Sequence, residues 1–586
     1  MSERELTLGP VAAPDQRAFS RMLRLTRPNR ADAIAFVILA ALALLVLQGA
    51  RGTIEPLARL HVEPVILDWR YLPYYALRTV IRMFAALFAS TVFTLVVATL
   101  AARSQRAGQI IVPALDILQS VPILGFLTFT VTFFMGLFPG SVLGVECAAV
   151  FAIFTSQAWN MAFSFYQSLR SVPSDLEEVS AGFGLSPIRR FLKLDLPFAT
   201  PALVWNAMMS MSGGWFFIVA SEAITVGNTT VTLPGIGAWL ALAIERQDFR
   251  AVGLAVAMMA VVILIYDQIV FRPVVAWADR FRFEQTASGE RPQSWAYDLL
   301  RRTRLLPLLF APLGWTGKLL LMLEPARGIR VQGPPRRLNP WMERLWQAAV
   351  WLSFAAAIWF CARYVLTTLG GRDIAEVLLL ALLTMIRVVV LIALASLIWV
   401  PIGVWIGLNP RWAERVQPVA QFLAAFPANV LFPFAVIIIL AWRLNPDIWL
   451  SPLMILGTQW YILFNVIAGA SAIPTDLREA ARMFGVTGRQ WWRQVALPAI
   501  FPYYVTGALT ASGGSWNASI VAETVSWGKA HLEAHGLGTY IANATAAGDY
   551  PRVALGIAVM SAFVLGFNRL VWRPMYAFAE RRLRLA

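Results

Sequence analysis

Pro173-Ser-Asp-Leu-Glu-Glu-Val-Ser-Ala-Gly-Phe-Gly184 is followed, 301 residues later, by Pro474-Thr-Asp-Leu-Arg-Glu-Ala-Ala-Arg-Met-Phe-Gly485. Each segment reads as a short helix with both ends marked. Ser174 and Thr475 stand where an N-cap side chain accepts from the first turn, and Asp175 and Asp476 put negative charge at the positive end of the helix dipole. Ser174-x-x-Glu177 has the form of a capping box, which Thr475-x-x-Arg478 lacks. Gly184 and Gly485 supply the left-handed residue that stops a helix. A second short helix, over 187–195 or 488–496, then runs to Pro197 or Pro498, where a long apolar segment opens. A few residues suffice to join two neighbouring helices, so spending about 24 on a capped helix–turn–helix, twice, predicts a docking surface.

The repeat extends well beyond these segments. At the same offset Trp159 falls on Trp460, Glu178 on Glu479, Leu196-Pro197 on Leu497-Pro498, Trp215 on Trp516 and Glu222 on Glu523. Gly235-Ile236-Gly237 falls on Gly536-Leu537-Gly538, Asp248 on Asp549, and Arg272-Pro273 on Arg573-Pro574. Upstream the offset becomes 305, pairing Arg82 with Arg387, Pro113 with Pro418 and Pro122 with Pro427. The change of four residues falls at the turn between the third and fourth apolar segments. Two copies in the same order predict parallel repeats, separated by an even number of membrane crossings.

Composition says what lies between the motifs. Of 586 residues, 58% are hydrophobic and 14% charged, with a mean hydropathy of +0.64. Soluble chains carry roughly 25% charged residues, so a set of water-soluble domains is excluded and a polytopic membrane protein is indicated. Stretches near the roughly 20 apolar residues that cross a bilayer as a helix fall at 33–50, 76–101, 122–138, 143–166, 198–220 and 251–271. The second set is 345–368, 378–407, 422–442, 448–470, 499–521 and 552–572. Spanning strands would be about half as long and alternate in polarity. The expected fold is all-α, with about twelve transmembrane helices in two parallel six-helix repeats.

Charge sets the expected orientation. The 49 Lys and Arg exceed the 33 Asp and Glu to give +16, and lysine occurs only at 193, 318 and 529. The arginines collect in the first 30 residues, in the centre of the chain and at span ends on one side. The positive-inside rule then places both termini and both capped segments in the cytoplasm. Arginine facing lipid headgroups accounts for the excess, with no case for nucleic acid. On this reading 1–32 is a cytoplasmic N-terminal segment and 33–280 the first repeat, its core at about 75–280. Residues 281–343 form a cytoplasmic linker, and 344–586 the second repeat, its core at about 380–580. An apolar stretch at 305–323 would reverse the second copy if it crossed, so it belongs to the linker as an interfacial segment. Cys147 and Cys361 lie in apolar stretches and make no disulfide framework or metal cluster.

Glu479-Ala480-Ala481, then Gly485, then Val495-Ala-Leu-Pro498 resembles the EAA loop of ABC-importer permeases, whose pattern is E-A-A, G and I-x-L-P. The first copy keeps Glu178, Gly184 and Leu194-Asp-Leu-Pro197 at the same spacing and carries Val179-Ser180 in place of the alanines. Arg82 and Arg387 before a long span, with Gly-(Ile/Leu)-Gly after the fifth, resemble the nitrate/sulfonate/taurine/bicarbonate branch. The likeness covers most of the chain. It implies a fused, two-copy permease of the type I ABC importer fold in the bacterial inner membrane. It implies that Glu178, Gly184, Pro197, Glu479, Ala480, Ala481, Gly485 and Pro498 form coupling loops seated in two ATPase subunits. An external, periplasmic solute-binding protein would deliver the substrate, a small anion such as nitrate, a sulfonate, taurine or bicarbonate. No Gly-x-x-x-x-Gly-Lys-Ser/Thr phosphate loop occurs. ATP and Mg would therefore be bound by the partner ATPase, leaving this chain without a cofactor or enzymatic step.

Ionisable residues within spans are functional candidates. Glu222 and Glu523 stand toward the external ends of the fifth span of each copy. They either face the pathway as gate or ligand contacts, or accept hydrogen bonds from the glycine-rich segments 227–237 and 528–538. Arg82 and Arg387 either attract an anion, pair with acids or reach toward headgroups. Trp159 and Trp460 read as packing residues. His531-x-Glu533-x-His535 has a chelating spacing, but the first copy has Thr232-x-Pro234 there, which favours an exposed loop. The rival reading is a twelve-span secondary transporter of the major facilitator kind. It requires a charged Gly-x-x-x-Asp-Arg-type motif between the second and third spans, where Ala101-Ala-Arg-Ser-Gln-Arg106 stands instead. It also gives no reason for a duplicated docking segment.

Overall fold

Prolines decide where the long apolar segments stay straight and where they break. The computed structural model describes residues 29–51, 65–121, 123, 125, 127–226, 229–281, 294–303 and 340–582. Among the described residues nine helices are long and apolar enough to cross a membrane, or up to eleven if each of two bent helix pairs is one span. These eleven fall on eleven of the twelve stretches expected from hydropathy. The chain is a multi-pass, helical membrane protein. The remaining stretch, 122–138, contains an 11-residue helix, Leu127–Leu137, with 122, 124 and 126 outside the described residues. The expected arginine-rich head up to 28 and most of the linker, including 305–323, also lie outside them.

Hydropathy hid one helix in each copy. Gln105–Ser120 and its counterpart Pro410–Ala425 interleave polar with apolar side chains, so that neither registers as a span along its whole length; only Val419–Ala425 does, as part of a bent pair. Both stop for the same reason. Val121 (φ −78°, ψ 129°) and Phe426 (φ −77°, ψ 129°) are extended, the conformation that the ring of a following proline favours. The prolines are Pro122 and Pro427. In the second copy the chain resumes as Ala428–Ala441 after a bend of 79°.

A second proline effect recurs four times. Five-residue π-turns at Phe191–Asp195, Asp267–Phe271, Trp492–Ala496 and Asn568–Trp572 each end two positions before a proline, at 197, 273, 498 and 574. Proline lacks an N–H and its ring presses on the carbonyl four residues back. Widening the preceding turn relieves both without ending the helix. The short helix expected over 187–195 or 488–496 is therefore not a separate element. It runs through the π-turn into the span, giving continuous candidates Pro187–Glu222 and Gly488–Ala522. The copies differ at the fourth span. Val142–Arg170 is one helix, whereas the second copy is broken and bent by 45° between Pro446–Met454 and Gln459–Ser471. Pro446, Pro452 and Gly457 stand there where the first copy has Val145, Phe151 and Ser156.

Two short antiparallel hairpins interrupt the helices. β1 (Ala223–Val226) pairs with β2 (Thr229–Thr232), and β3 (Thr524–Trp527) with β4 (Ala530–Glu533). Each lies between the fifth span of its copy and a short helix, Ile236–Glu245 or Leu537–Ala547.

The described residues gather into two compact units. One comprises those within 1–47, 173–201 and 267–333. In it Asn29 and Asp32 exchange backbone-to-side-chain bonds of 2.8 Å at the start of the helix Arg30–Arg51. Asn29 Nδ2 also donates to the Arg302 carbonyl at 2.7 Å, fastening that end to the helix Trp295–Arg302. The other unit comprises those within 48–172, 202–266 and 334–586. Its helices approach closely where side chains are small. A Cβ on Gly507 would stand 2.6 Å from the Tyr461 carbonyl oxygen, whereas one on Gly513 would meet nothing within 4 Å. Small residues let membrane helices pack backbone to backbone. Gly507→Ala should therefore lower thermal stability by about 1–3 kcal/mol, the range for an overpacked core. Gly513→Ala on the same helix should be neutral or slightly stabilising. Thermal unfolding of both in one detergent checks this, and equal midpoints would contradict the close approach.

Candidate functional site

Two kinds of site are repeated along the chain: the capped loops and a pair of buried ion clusters. In the loops, helices span Ser174–Gly182 and Thr475–Met483. Their stops are identical. Leu185 N–H donates to the Ser180 carbonyl (3.2 Å) and Gly184 N–H to Ala181 (2.9 Å). Val486 N–H donates to Ala481 (2.8 Å) and Gly485 N–H to Arg482 (3.1 Å). This Schellman pattern needs a left-handed residue at its turn, and Gly184 (φ 61°) and Gly485 (φ 65°) supply it.

The starts differ from the expectation. Pro173 and Pro474 occupy the N-cap position, with no side-chain cap bond, and Ser174 and Thr475 are the first helical residues. The proline's preset φ begins the helix one residue earlier than a hydroxyl cap would. No capping box forms at Ser174, because Glu177 is turned instead to Arg190 of the following turn. Arg190 Nε also lies 3.6 Å from Asp195, which is buried. Glu178 and Glu479 are exposed, Ala480 is half-buried and Ala481 buried; Pro197 and Pro498 are each the second residue of the helix beyond the π-turn. Phe183 and Phe484, at equivalent positions, are 80% and 84% exposed. An aromatic ring left uncovered at the same place in both copies is a surface feature of the kind that marks contact sites.

The second site is built around Glu222, which has no solvent exposure, and Glu523, at 1%. Each carboxylate stands at the end of its fifth span and is satisfied in the same way. Arg82 Nη1 and Thr79 Oγ1 donate to Glu222 Oε1 at 2.6 and 2.7 Å, and Gly237 N–H donates to Oε2 at 2.6 Å. Arg387 Nη1 and Thr384 Oγ1 donate to Glu523 Oε1 at 3.2 and 2.8 Å, and Gly538 N–H to Oε2 at 2.8 Å. The threonines are themselves held, accepting from Ile236 N–H at 3.0 Å and Leu537 N–H at 2.9 Å. The Gly-(Ile/Leu)-Gly motif follows from this geometry, because a side chain at Gly235 or Gly536 would overlap the carboxylate of Glu222 or Glu523.

A second acid completes each cluster. Glu146 receives Arg82 Nε and Nη2 at 2.5 and 2.7 Å and Arg78 Nη2 at 2.5 Å. Its counterpart Asp447 receives Arg387 Nη2 at 3.1 Å and His535 N–H at 2.7 Å, with the His535 ring 3.1 Å from its other oxygen. The first copy thus sets two guanidiniums against two carboxylates. The second has Leu383 in place of Arg78 and covers its outer acid with His535. Glu146, Asp447, Arg78, Thr79 and Thr384 were not picked out from the sequence. The self-comparison held the signal, since Glu146 falls on Asp447 at offset 301 and Thr79 on Thr384 at offset 305. Trp159 packs edge-on to Phe93 and Phe154, and Trp460 packs against Trp399. His531 and Glu533 pair with each other at 2.9 Å in β4. Among the described residues no group of three or more His, Cys, Asp or Glu could hold a metal ion.

Comparison with known proteins adds an independent finding. The family described as binding-protein-dependent transport system inner membrane component matches twice, at residues 90–272 and 399–584. The chain is 29% identical over 179 residues to the bicarbonate transport system permease protein CmpB of Synechococcus elongatus, covering 30% of this chain and 61% of that one. It is 29% identical over 185 residues to the nitrate import permease protein NrtB of Leptolyngbya laminosa, 32% and 63% of the two chains. It is 33% identical over 137 residues to the glycine betaine/proline betaine permease ProW of Escherichia coli, 23% and 36%. The matched segment spans about three-fifths of the length of the first two relatives.

The two clusters differ in how far they are shielded, and stability should register it. The Arg82 side chain is 3% exposed with partners at 3% and 0%, whereas Arg387 is 13% exposed and its partner Asp447 36%. Removing one partner of a buried ion pair costs about 3–5 kcal/mol. Arg82→Gln should approach that loss in thermal unfolding, and Arg387→Gln should lose about 1–3 kcal/mol, as for a hydrogen-bonded group left partly solvated. Equal losses would show that burial does not separate the clusters.

Proposed function

Because the chain belongs to the family of binding-protein-dependent transport system inner membrane components, we propose that it is the fused transmembrane subunit of an ATP-driven ABC importer. Its two copies form the solute pathway between them, and two separate ATPase subunits, which bind the ATP and Mg, seat on the two EAA-type loops. A solute-binding protein on the outer face delivers the substrate, and the chain itself carries out no covalent chemistry. Both termini and both loops lie on the cytoplasmic side of the inner membrane, a placement that the arginine distribution supports.

One observation carries the reading. The same rigid, glycine-stopped helix occurs in both copies, presenting an uncovered aromatic residue, Phe183 or Phe484, beside an exposed glutamate, Glu178 or Glu479. The route from loop to pathway is a single helical element. In the second copy Gly488–Ala522 is one continuous helix, with the coupling turn at its start and Glu523 immediately after its end. A displacement of the loop by ATPase closure is carried along that helix to the ion cluster, and the spans alternate between inward- and outward-facing packings. The relatives named for bicarbonate and nitrate support a small oxyanion as substrate. Glu222, Glu523, Arg82 and Arg387 act on this reading as the hinge-end fastening of each copy and leave the solute to other groups. Their charges are already consumed by one another.

The test is capture of an ATPase. Purified full-length protein should retain a stoichiometric ATPase, and the double variant Glu178→Lys with Glu479→Lys should lower its recovery at least about tenfold, since a reversed charge at a docking rim works against the partner. Its thermal midpoint should stay near that of the parent, both residues being exposed. Solute uptake that continues without any ATPase would overturn the proposal.

A further inference from the structure

A cavity of about 430 Å³ opens where the two copies meet within the larger unit. Its walls are not equivalent. Residues contributed by the first copy include Val219, Ala223, Leu240 and Ile244, and every side chain on that wall is apolar. The second copy sets Ile520 opposite Val219, but replaces Ala223 by Thr524 and Ile244 by Thr545, and adds Asn429 where the first copy has Leu124. All the polar side chains of this cavity therefore come from one copy, and none of them is charged.

Two of these polar side chains each have an atom without a partner. Asn429 is 7% exposed; its Nδ2 donates to the Phe216 carbonyl at 3.4 Å, while its Oδ1 has none. Thr545 Oγ1 is buried and equally without one. Buried polar atoms in native proteins are satisfied almost without exception, so an orphan beside a cavity points to a missing partner. Asn429 also sits at the N-terminal end of the half-helix Ala428–Ala441, just past the 79° break. Broken membrane helices place such N-terminal ends, with their partial positive charge, toward anionic groups. The Asn429 amide nitrogen carries two hydrogens, of which one is given to Phe216, so a second N–H remains to be offered.

We propose that Asn429, with Thr524 and Thr545, forms a transit site for a small, weakly hydrated oxyanion in the pathway. Neutral donors on one wall and apolar side chains on the other hold the ion without a counter-charge. A site of this kind stays weak enough to release its occupant in each cycle. The inference rests on the importer reading above and names where that importer touches its substrate.

The experiment uses the purified full-length chain in nanodiscs, probed with sodium nitrate against sodium chloride at equal ionic strength. Nitrate should raise the unfolding midpoint of the parent by about 2 °C or more over chloride at saturation, by linkage of binding to folding. Asn429→Leu, the residue of the first copy, should abolish that difference. Asn429→Gln should retain part of it, which separates lost recognition from lost folding. No nitrate-specific shift in the parent, or an equal shift in Asn429→Leu, overturns the site and would mean that water alone meets these groups. Stabilisation by glycine betaine and not by nitrate overturns the oxyanion assignment. ATPase capture by the loops is measured separately, so a chain that captures the ATPase but ignores nitrate loses the transit site and keeps the importer reading.

Discussion

A carboxylate without access to water must have its charge and its lone pairs met by the chain itself. At Glu222 and Glu523 that requirement draws in a guanidinium and a threonine from the second span, and glycine N–H groups from the segment beyond the hairpin. Two separate stretches of chain thus converge on one residue, twice. The hairpins and the short helices after them take their positions from this convergence, because the residues that begin each short helix are the ones bonded to the carboxylate or its threonine. Gly235 and Gly536 have no room for a side chain for the same reason. Much of that end of each copy is thereby organised around a single acid.

Proline provides the second constraint, and it acts in two opposite ways. Before Pro122 and Pro427 the chain becomes extended and the helix stops. Before the prolines at 197, 273, 498 and 574 the helix widens by one π-turn and continues. Both outcomes obey the same steric rule, and the residue type does not select between them. The difference decides which elements stay joined. A stop permits a half-helix such as Ala428–Ala441 to begin beside a cavity, while a π-turn keeps the capped loop and the span in one piece.

Duplication followed by divergence accounts for the structural differences between the copies. The two loops keep the glycine stop and the exposed aromatic, while the ion clusters keep the acid, the threonine and one arginine. Away from these points the copies have drifted apart. Arg78 has become Leu383, the outer acid has acquired His535, and a continuous fourth span has been broken by Pro446 and Pro452. The cavity between the copies shows the largest consequence, with one wall apolar and the other bearing an amide and hydroxyls.

The sequence by itself determined the class, the repeat and the loops. Hydropathy marks lipid-facing helices directly, since lipid selects on apolarity alone, and a duplicated chain carries its own alignment. The left-handed glycines were legible because a local backbone rule specifies them. Only the tertiary structure decided what the intramembrane charges do. Whether Arg82 faces a solute, a headgroup or an acid depends on neighbours contributed by residues 146 and 222, and spacing along the chain does not encode that approach. The same holds for the amphipathic helices at 105–120 and 410–425, which hydropathy cannot separate from loops. It holds for Asn429 too, two residues beyond Pro427, which only folding places, half-satisfied, beside the seam between the copies.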